Sequence, residues 1–227
     1  MAGERPTIKT LRSLIERRVR PKTFKGPLSK TGISALDQQL PGGALRKGTL
    51  IEIFSHQSFG AGAWRLAFLF LAYMAREARG AYLDCQPKIY PPALAAMGID
   101  LDRLLILRPP DRRLALWSLE QLSSCEIFRL SIGVLSYLRA SDLRRLQLAV
   151  ESSGVFLVLL RPWKELSWRG TGASLRLSIE SSPALSKGRS RAFTLKILRG
   201  SRGKSRPILL ELDGVAGTLS SSSILPC

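Results

Sequence analysis

Acidic residues are scarce in this chain: 17 Asp and Glu stand against 35 Lys and Arg in 227 residues, a formal net charge of +18. So cationic a chain draws polyanions. Cysteine is sparse as well. Cys85, Cys125 and Cys227 make an odd count without C-x-x-C spacing, which fits a reducing compartment better than a disulfide framework. The single histidine, His56, builds no metal site with them. Long apolar runs are missing: "LAFLFLAYMA" (66–75) and "VFLVLL" (155–160) are the longest, and both are too short to cross a bilayer. No apolar stretch of signal-peptide type follows the first residues. The expectation is a cytoplasmic protein without a membrane partner or a metal.

What is present is enough apolar sequence, 45%, for one core with extensions. The charge lies mostly outside that core. Residues 1–30 carry nine Lys and Arg against Glu4 and Glu16, a net of +7, and residues 181–206 carry eight with no acid, so 15 of the +18 sit in two segments. Clustered cations gain counterion release on a phosphate backbone, which points to nucleic acid. A solvated surface or an anionic membrane is the other use of such charge.

Short apolar runs bounded by Gly, Pro or charge read as strands buried on both faces: 49–54, 80–85, 104–107, 131–136 and 155–160. Helical patterns lie between them at 63–78, 91–97, 112–124 and 141–152, the last opening with Ser141 as N-cap, Asp142 in the first turn, and Leu143, Leu146 and Val150 on one face. Such alternation predicts an α/β fold with a mainly parallel sheet flanked by helices. After residue 170 the strands follow one another directly, at 174–180, 192–198 and 207–212, the last two joined by the basic loop "RGSRGKSR" (199–206). An antiparallel C-terminal extension is expected. Three parts result: a basic N-terminal segment (1–30), a core (31–214) and a loose tail (215–227). In the first, Ile8, Leu11, Ile15 and Val19 form a helical stripe, interrupted by Arg18; a docking helix, a frayed basic segment and a targeting peptide are its three readings.

"TGISALDQQLPGGALRKGTLIEIF" (31–54) and "AYLDCQPKIYPPALAAMGIDLDRLLILRPPD" (81–111) resemble, in order, two stretches of the RecA recombinase core. The resemblance implies a RecA-like, P-loop NTPase-type fold over about residues 31–200. It also implies where an ATPase would keep its machinery. A P-loop cradles phosphate on backbone N–H groups, neutralises it with Lys and holds magnesium with Ser or Thr. Here the loop runs Ser55, Ser58, Gly60, Ala61, Gly62, with Ala61 in the place of the Lys and Gly62 in that of the Ser or Thr. Gln86 aligns with the catalytic Glu and is no general base near neutral pH. "SIGVLSYL" (131–138) lacks the metal-holding Asp, and Arg161-Pro162 replaces the nucleotide-sensing Gln. Four losses imply a degenerate ATPase with no cofactor. Any binding left to the loop is capture of an anion on its amides, and its expected role is the turn from strand to helix. The alternative is a RecA-type ATP-dependent recombination protein that takes its cations from elsewhere.

The resemblance also locates DNA contacts. The family's long first DNA loop is missing, since Leu138, Arg139 and Ala140 lead at once into the next helix. The second is replaced by "RPWKELSWRGTGA" (161–173), where Arg161, Lys164 and Arg169 accompany Trp163 and Trp168. Aromatics among cations stack single strands, Trp and Arg equally anchor protein interfaces, and a tryptophan folded onto the sheet edge does neither. The loop is read here as partner-binding, and Lys196, Arg199, Arg202, Lys204 and Arg206 of the basic hairpin as DNA-binding. "ASDLRRLQLAVESSGVFLVLLRP" (140–162) and "RAFTLKILRG" (191–200) are similar to the ImuA-type accessory proteins of bacterial translesion synthesis. That resemblance implies a non-catalytic adaptor in DNA-damage tolerance and the SOS response. Its implied partners are DNA, single-stranded by expectation, a Y-family-like polymerase subunit, an error-prone polymerase and RecA itself.

Overall fold

A computed structural model describes residues 27–55, 61–85, 89–166, 173–183, 186, 190–212 and 219–224. Strands β1 (Leu28–Ser29) and β2 (Leu45–Arg46) form a small antiparallel pair. The other nine strands make one sheet: β3 (Leu50–Ser55), β4 (Arg79–Leu83), β5 (Leu104–Leu107), β6 (Phe128–Val134), β7 (Phe156–Pro162), β8 (Leu175–Ser181), β9 (Arg191–Arg199), β10 (Ile208–Leu212) and β11 (Leu219–Ile224). Their order is β11-β10-β9-β8-β3-β7-β6-β4-β5. From β8 to β5 all pairings are parallel, and from β8 to β11 all are antiparallel. This is the α/β sheet with an antiparallel extension that the sequence predicts.

The helices are α1 (Ser34–Asp37), α2 (Ala61–Met74), α3 (Pro91–Ala95), α4 (Arg112–Ser124) and α5 (Ala140–Ser153). β3 is buried along its whole length, so its alternate residues feed two cores. Ile51 and Ile53 join Leu66, Phe70 and Leu71 of α2, while Leu50 joins Leu119 of α4 and Leu143, Leu146 and Val150 of α5. Among the described residues no helix is long and apolar enough to cross a membrane.

The Thr-Gly…Leu-Asp stretch that carries the family resemblance is a clasp. Thr31 N–H donates to Asp37 Oδ1 at 2.9 Å, and Ile33 N–H donates to Thr31 Oγ1 at 3.2 Å. Gly32 sits at φ +88, where a Cβ would lie 2.6 Å from the Tyr73 ring. Burial raises the pKa of Asp37, against the lowering effect of the Thr31 bonds.

Two expectations change. Helix α5 is capped at Arg139, not Ser141: the Asp142 carboxylate reaches back to accept the Arg139 N–H at 3.0 Å, so the helix starts one residue earlier. In the expected loose tail, residues 219–224 form β11, which pairs with β10 from Ile208↔Ile224 to Leu212↔Leu219. The outer edge of β10 carries backbone groups that a strand can satisfy, whatever its side chains. At the other end, Leu28 and Ser29 of the basic N-terminal segment pair with β2; its helical stripe lies outside the described residues.

Candidate functional site

The expected phosphate loop joins β3 to α2. Ser55 is buried at the end of β3, while Ser58 and Gly60 lie outside the described residues. Ala61 opens α2. Gly62 is buried, and a Cβ built on it would lie 2.7 Å from Phe193 Cδ1 and 3.1 Å from Ile179 Cδ1. No side chain of any kind fits there without displacing the Phe193 ring. Beside it, Trp64, Phe68 and Tyr82 pack with ring centroids 5.4–5.9 Å apart, Trp64 stacked on Phe68 and both inclined to Tyr82.

At the end of β4 stands Asp84, buried, accepting from Arg108 Nε at 3.2 Å and from the Tyr82 hydroxyl at 3.4 Å. Burial, then the Asp84 charge, raises the Tyr82 phenol far above its ordinary pKa and pushes the Cys85 thiol up. Gln86 lies outside the described residues. Among the described residues no cluster of three His, Cys, Asp or Glu could hold a metal.

Past the C-terminal ends of the parallel strands, the loops after β6 and β7 meet. Glu165 Oε2 accepts the Tyr137 backbone N–H at 2.9 Å and an Arg161 N–H at 3.2 Å. Arg112 donates to the Ser136 carbonyl at 3.2 Å and the Tyr137 carbonyl at 2.6 Å. Lys164 Nζ donates to the Tyr137 hydroxyl at 3.2 Å and lies 5.5 Å from that ring's centroid. Among the described residues Tyr137 is the non-glycine residue with positive φ, +57, and it is 68% exposed. A strained, exposed aromatic held by charged groups on both sides is a feature of binding surfaces.

Arg161 departs from the expectation of a partner-facing cation. Its side chain is buried, bonded to Glu52 of β3 and to Glu165. Glu52, fully buried, also accepts from Arg176 Nε of β8 at 2.9 Å, and the Phe54 ring lies 5.6 Å and 5.0 Å from the two guanidinium carbons. Burial of Glu52 requires both cations, so Arg161 is part of the sheet. Trp163 is half-buried and Lys164 exposed in the same loop; Trp168 and Arg169 lie outside the described residues. Sequence reasoning missed Tyr137, Glu52 and Glu165. Only Glu52 leaves a signal, a charge inside the apolar run "LIEIF" facing Arg in "LRLSIE".

The basic hairpin is at the opposite end. β9 runs against β8, pairing Arg199 with Arg176 near the start of β8, so residues 200–206 lie beyond the N-terminal ends of the parallel strands. Arg199, Arg202, Lys204 and Arg206 are exposed. Lys196 faces along the sheet and pairs with Glu180 at 3.6 Å. Arg199, Arg202, Lys204 and Arg206 are therefore separated from Trp163 and Lys164 by the length of the sheet.

No protein-family model matches the chain. Protein RecA of Nostoc punctiforme is 37% identical over 93 residues, 40% of this chain and 25% of that protein, and Protein RecA of Francisella tularensis subsp. novicida is 32% identical over 80 residues, 35% and 22%. The chain thus spans about a quarter of the length of the curated relatives it matches. Among solved structures, a KaiC-like protein from the hyperthermophilic archaeon Pyrococcus horikoshii superposes with a TM-score of 0.64 at 15% identity, covering 87% of this chain and all of that one. The sheet order and these likenesses together make the fold RecA-like.

Proposed function

We propose that this chain is a RecA-like protein without ATPase activity, a DNA- and protein-binding adaptor in translesion synthesis and DNA-damage tolerance. The observation that supports the reading is at position 62, which the resemblance aligns with a magnesium-holding Ser or Thr and where a Cβ would lie 2.7 Å from Phe193 and 3.1 Å from Ile179. Ala61 beside it supplies no cation for a terminal phosphate, and a hydrogen bond to a charged group is worth about 1.5–3 kcal/mol before the metal is counted. The residues present do not fit Mg-ATP. The cations of the hairpin supply nucleic-acid affinity without sequence preference. Tyr137, Trp163 and Lys164 at the other edge supply a surface for a polymerase subunit. The likeness to RecA sequences is what favours the second reading, an ATP-dependent recombination protein. ATP turnover with and without single-stranded DNA separates the two. We expect no turnover above buffer in either case; DNA-stimulated turnover abolished by replacing Gly60 with a bulky residue supports the second reading instead.

A further inference from the structure

The hairpin is fastened to a distant part of the chain by one amide. Gln39, in the turn after α1, donates from Nε2 to the Arg206 carbonyl at 3.1 Å and accepts the Arg206 N–H on Oε1 at 2.7 Å. Its own carbonyl accepts the Arg202 N–H at 2.9 Å. A side-chain amide that pairs with both backbone groups of one residue acts as one rung of a β-ladder. The hairpin is also braced from within: Ser201 Oγ donates to the Gly203 carbonyl at 2.7 Å and Ser205 Oγ to the Ile197 carbonyl at 2.9 Å. Gly200, at φ +99, brings the chain so close to Ser174 that a Cβ would lie 2.6 Å from its carbonyl oxygen. The backbone is held at three points while Arg202, Lys204 and Arg206 stay exposed and form no ion pair among the described residues.

The turn that holds Gln39 continues to exposed Arg46 and half-buried Lys47, just before β3. β3 is two strands from β9 in the sheet order, roughly 10 Å at the usual strand spacing. Neither cation pairs with an acid among the described residues. Both groups precede or follow strands at the same, N-terminal side of the parallel strands, and like charges on one side of a molecule add to one field.

We infer that the N-terminal edge of the parallel sheet is a preformed platform for nucleic-acid phosphates, in which Gln39 positions the hairpin and Arg46 and Lys47 extend it. This rests on the proposal that the hairpin binds DNA. A hairpin already held in place loses little conformational entropy on binding, so its contribution to affinity exceeds that of the same cations on a free loop.

Anisotropy of a labelled single-stranded and a labelled duplex oligonucleotide across a salt series tests this in the full chain. Arg202→Ala/Lys204→Ala/Arg206→Ala is expected to lower affinity and salt slope together. Gln39→Ala, with every cation still present, is expected to weaken binding about fivefold at an unchanged slope, and to speed amide exchange at Arg202 and Arg206. Gln39→Met, which keeps the charge and the approximate length and loses the amide, is the second variant should Gln39→Ala not fold. Arg46→Ala/Lys47→Ala is expected to lower the duplex slope by about one unit or more. If the triple variant is impaired but the Gln39 and Arg46/Lys47 variants bind as the parent does, the platform is overturned and the hairpin reading stands. If the triple variant itself binds as the parent does, or anionic phospholipid vesicles outcompete both oligonucleotides, hairpin reading and platform fall together.

Discussion

Position 62 shows how closely the start of α2 packs on β8 and β9. A methyl group there meets Phe193 at 2.7 Å, and overpacking of a core costs about 1–3 kcal/mol. Replacing Gly by Ala within a helix gains about 1 kcal/mol in propensity. The clash is the larger effect, so Gly62→Ala is expected to destabilise by about 1 kcal/mol in urea unfolding. In the Phe193→Leu background the same substitution should be neutral or stabilising; additivity of the two changes would contradict the contact. Glu52 is the other decisive residue. With Arg161 and Arg176 both bonded to it in the sheet interior, Glu52→Gln removes the charge that both buried cations share, and a loss of about 3–5 kcal/mol is expected. A loss under 1 kcal/mol would mean that water screens the group.

At the scale of elements, the sequence shows most of the strands and helices because each is an apolar run with a clear period. Helix 112–124 is found where it is read, capped by Asp111 Oδ1 accepting the Leu114 N–H at 2.8 Å. β11 is not legible, since "LSSSSI" has no apolar alternation and is held by the β10 backbone. The loop after β6 is legible as short, but not as docked: its contact depends on Glu165, 28 residues away from Tyr137, and nothing local marks such a pair. Two variants test that surface against a purified Y-family-like polymerase subunit. Trp163→Ala is expected to weaken binding by about 2 kcal/mol or more if Trp163 is an anchor; a fall in melting temperature equivalent to about 3–5 kcal/mol with affinity unchanged would show a core role instead. Tyr137→Gly removes a left-handed penalty of about 1–2 kcal/mol, so stability should hold or rise while partner affinity falls.

Over the whole molecule, the chain keeps the RecA-like sheet, and the proposed function assigns its two ends to different ligands. The C-terminal edge, where open α/β sheets place their ligands, carries Tyr137, Trp163 and Lys164, and the N-terminal edge carries the hairpin. Composition alone reveals a cationic protein with basic segments, but where those segments stand relative to the sheet follows from the antiparallel turn of β9, which no residue count discloses. The central claim is that DNA binding here is independent of nucleotide, and DNA affinity measured with and without Mg-ATP tests it directly. The account predicts one salt-dependent affinity under both conditions, lost in the Arg202→Ala/Lys204→Ala/Arg206→Ala variant. Tighter binding with Mg-ATP than without it, retained in that variant, would contradict the account.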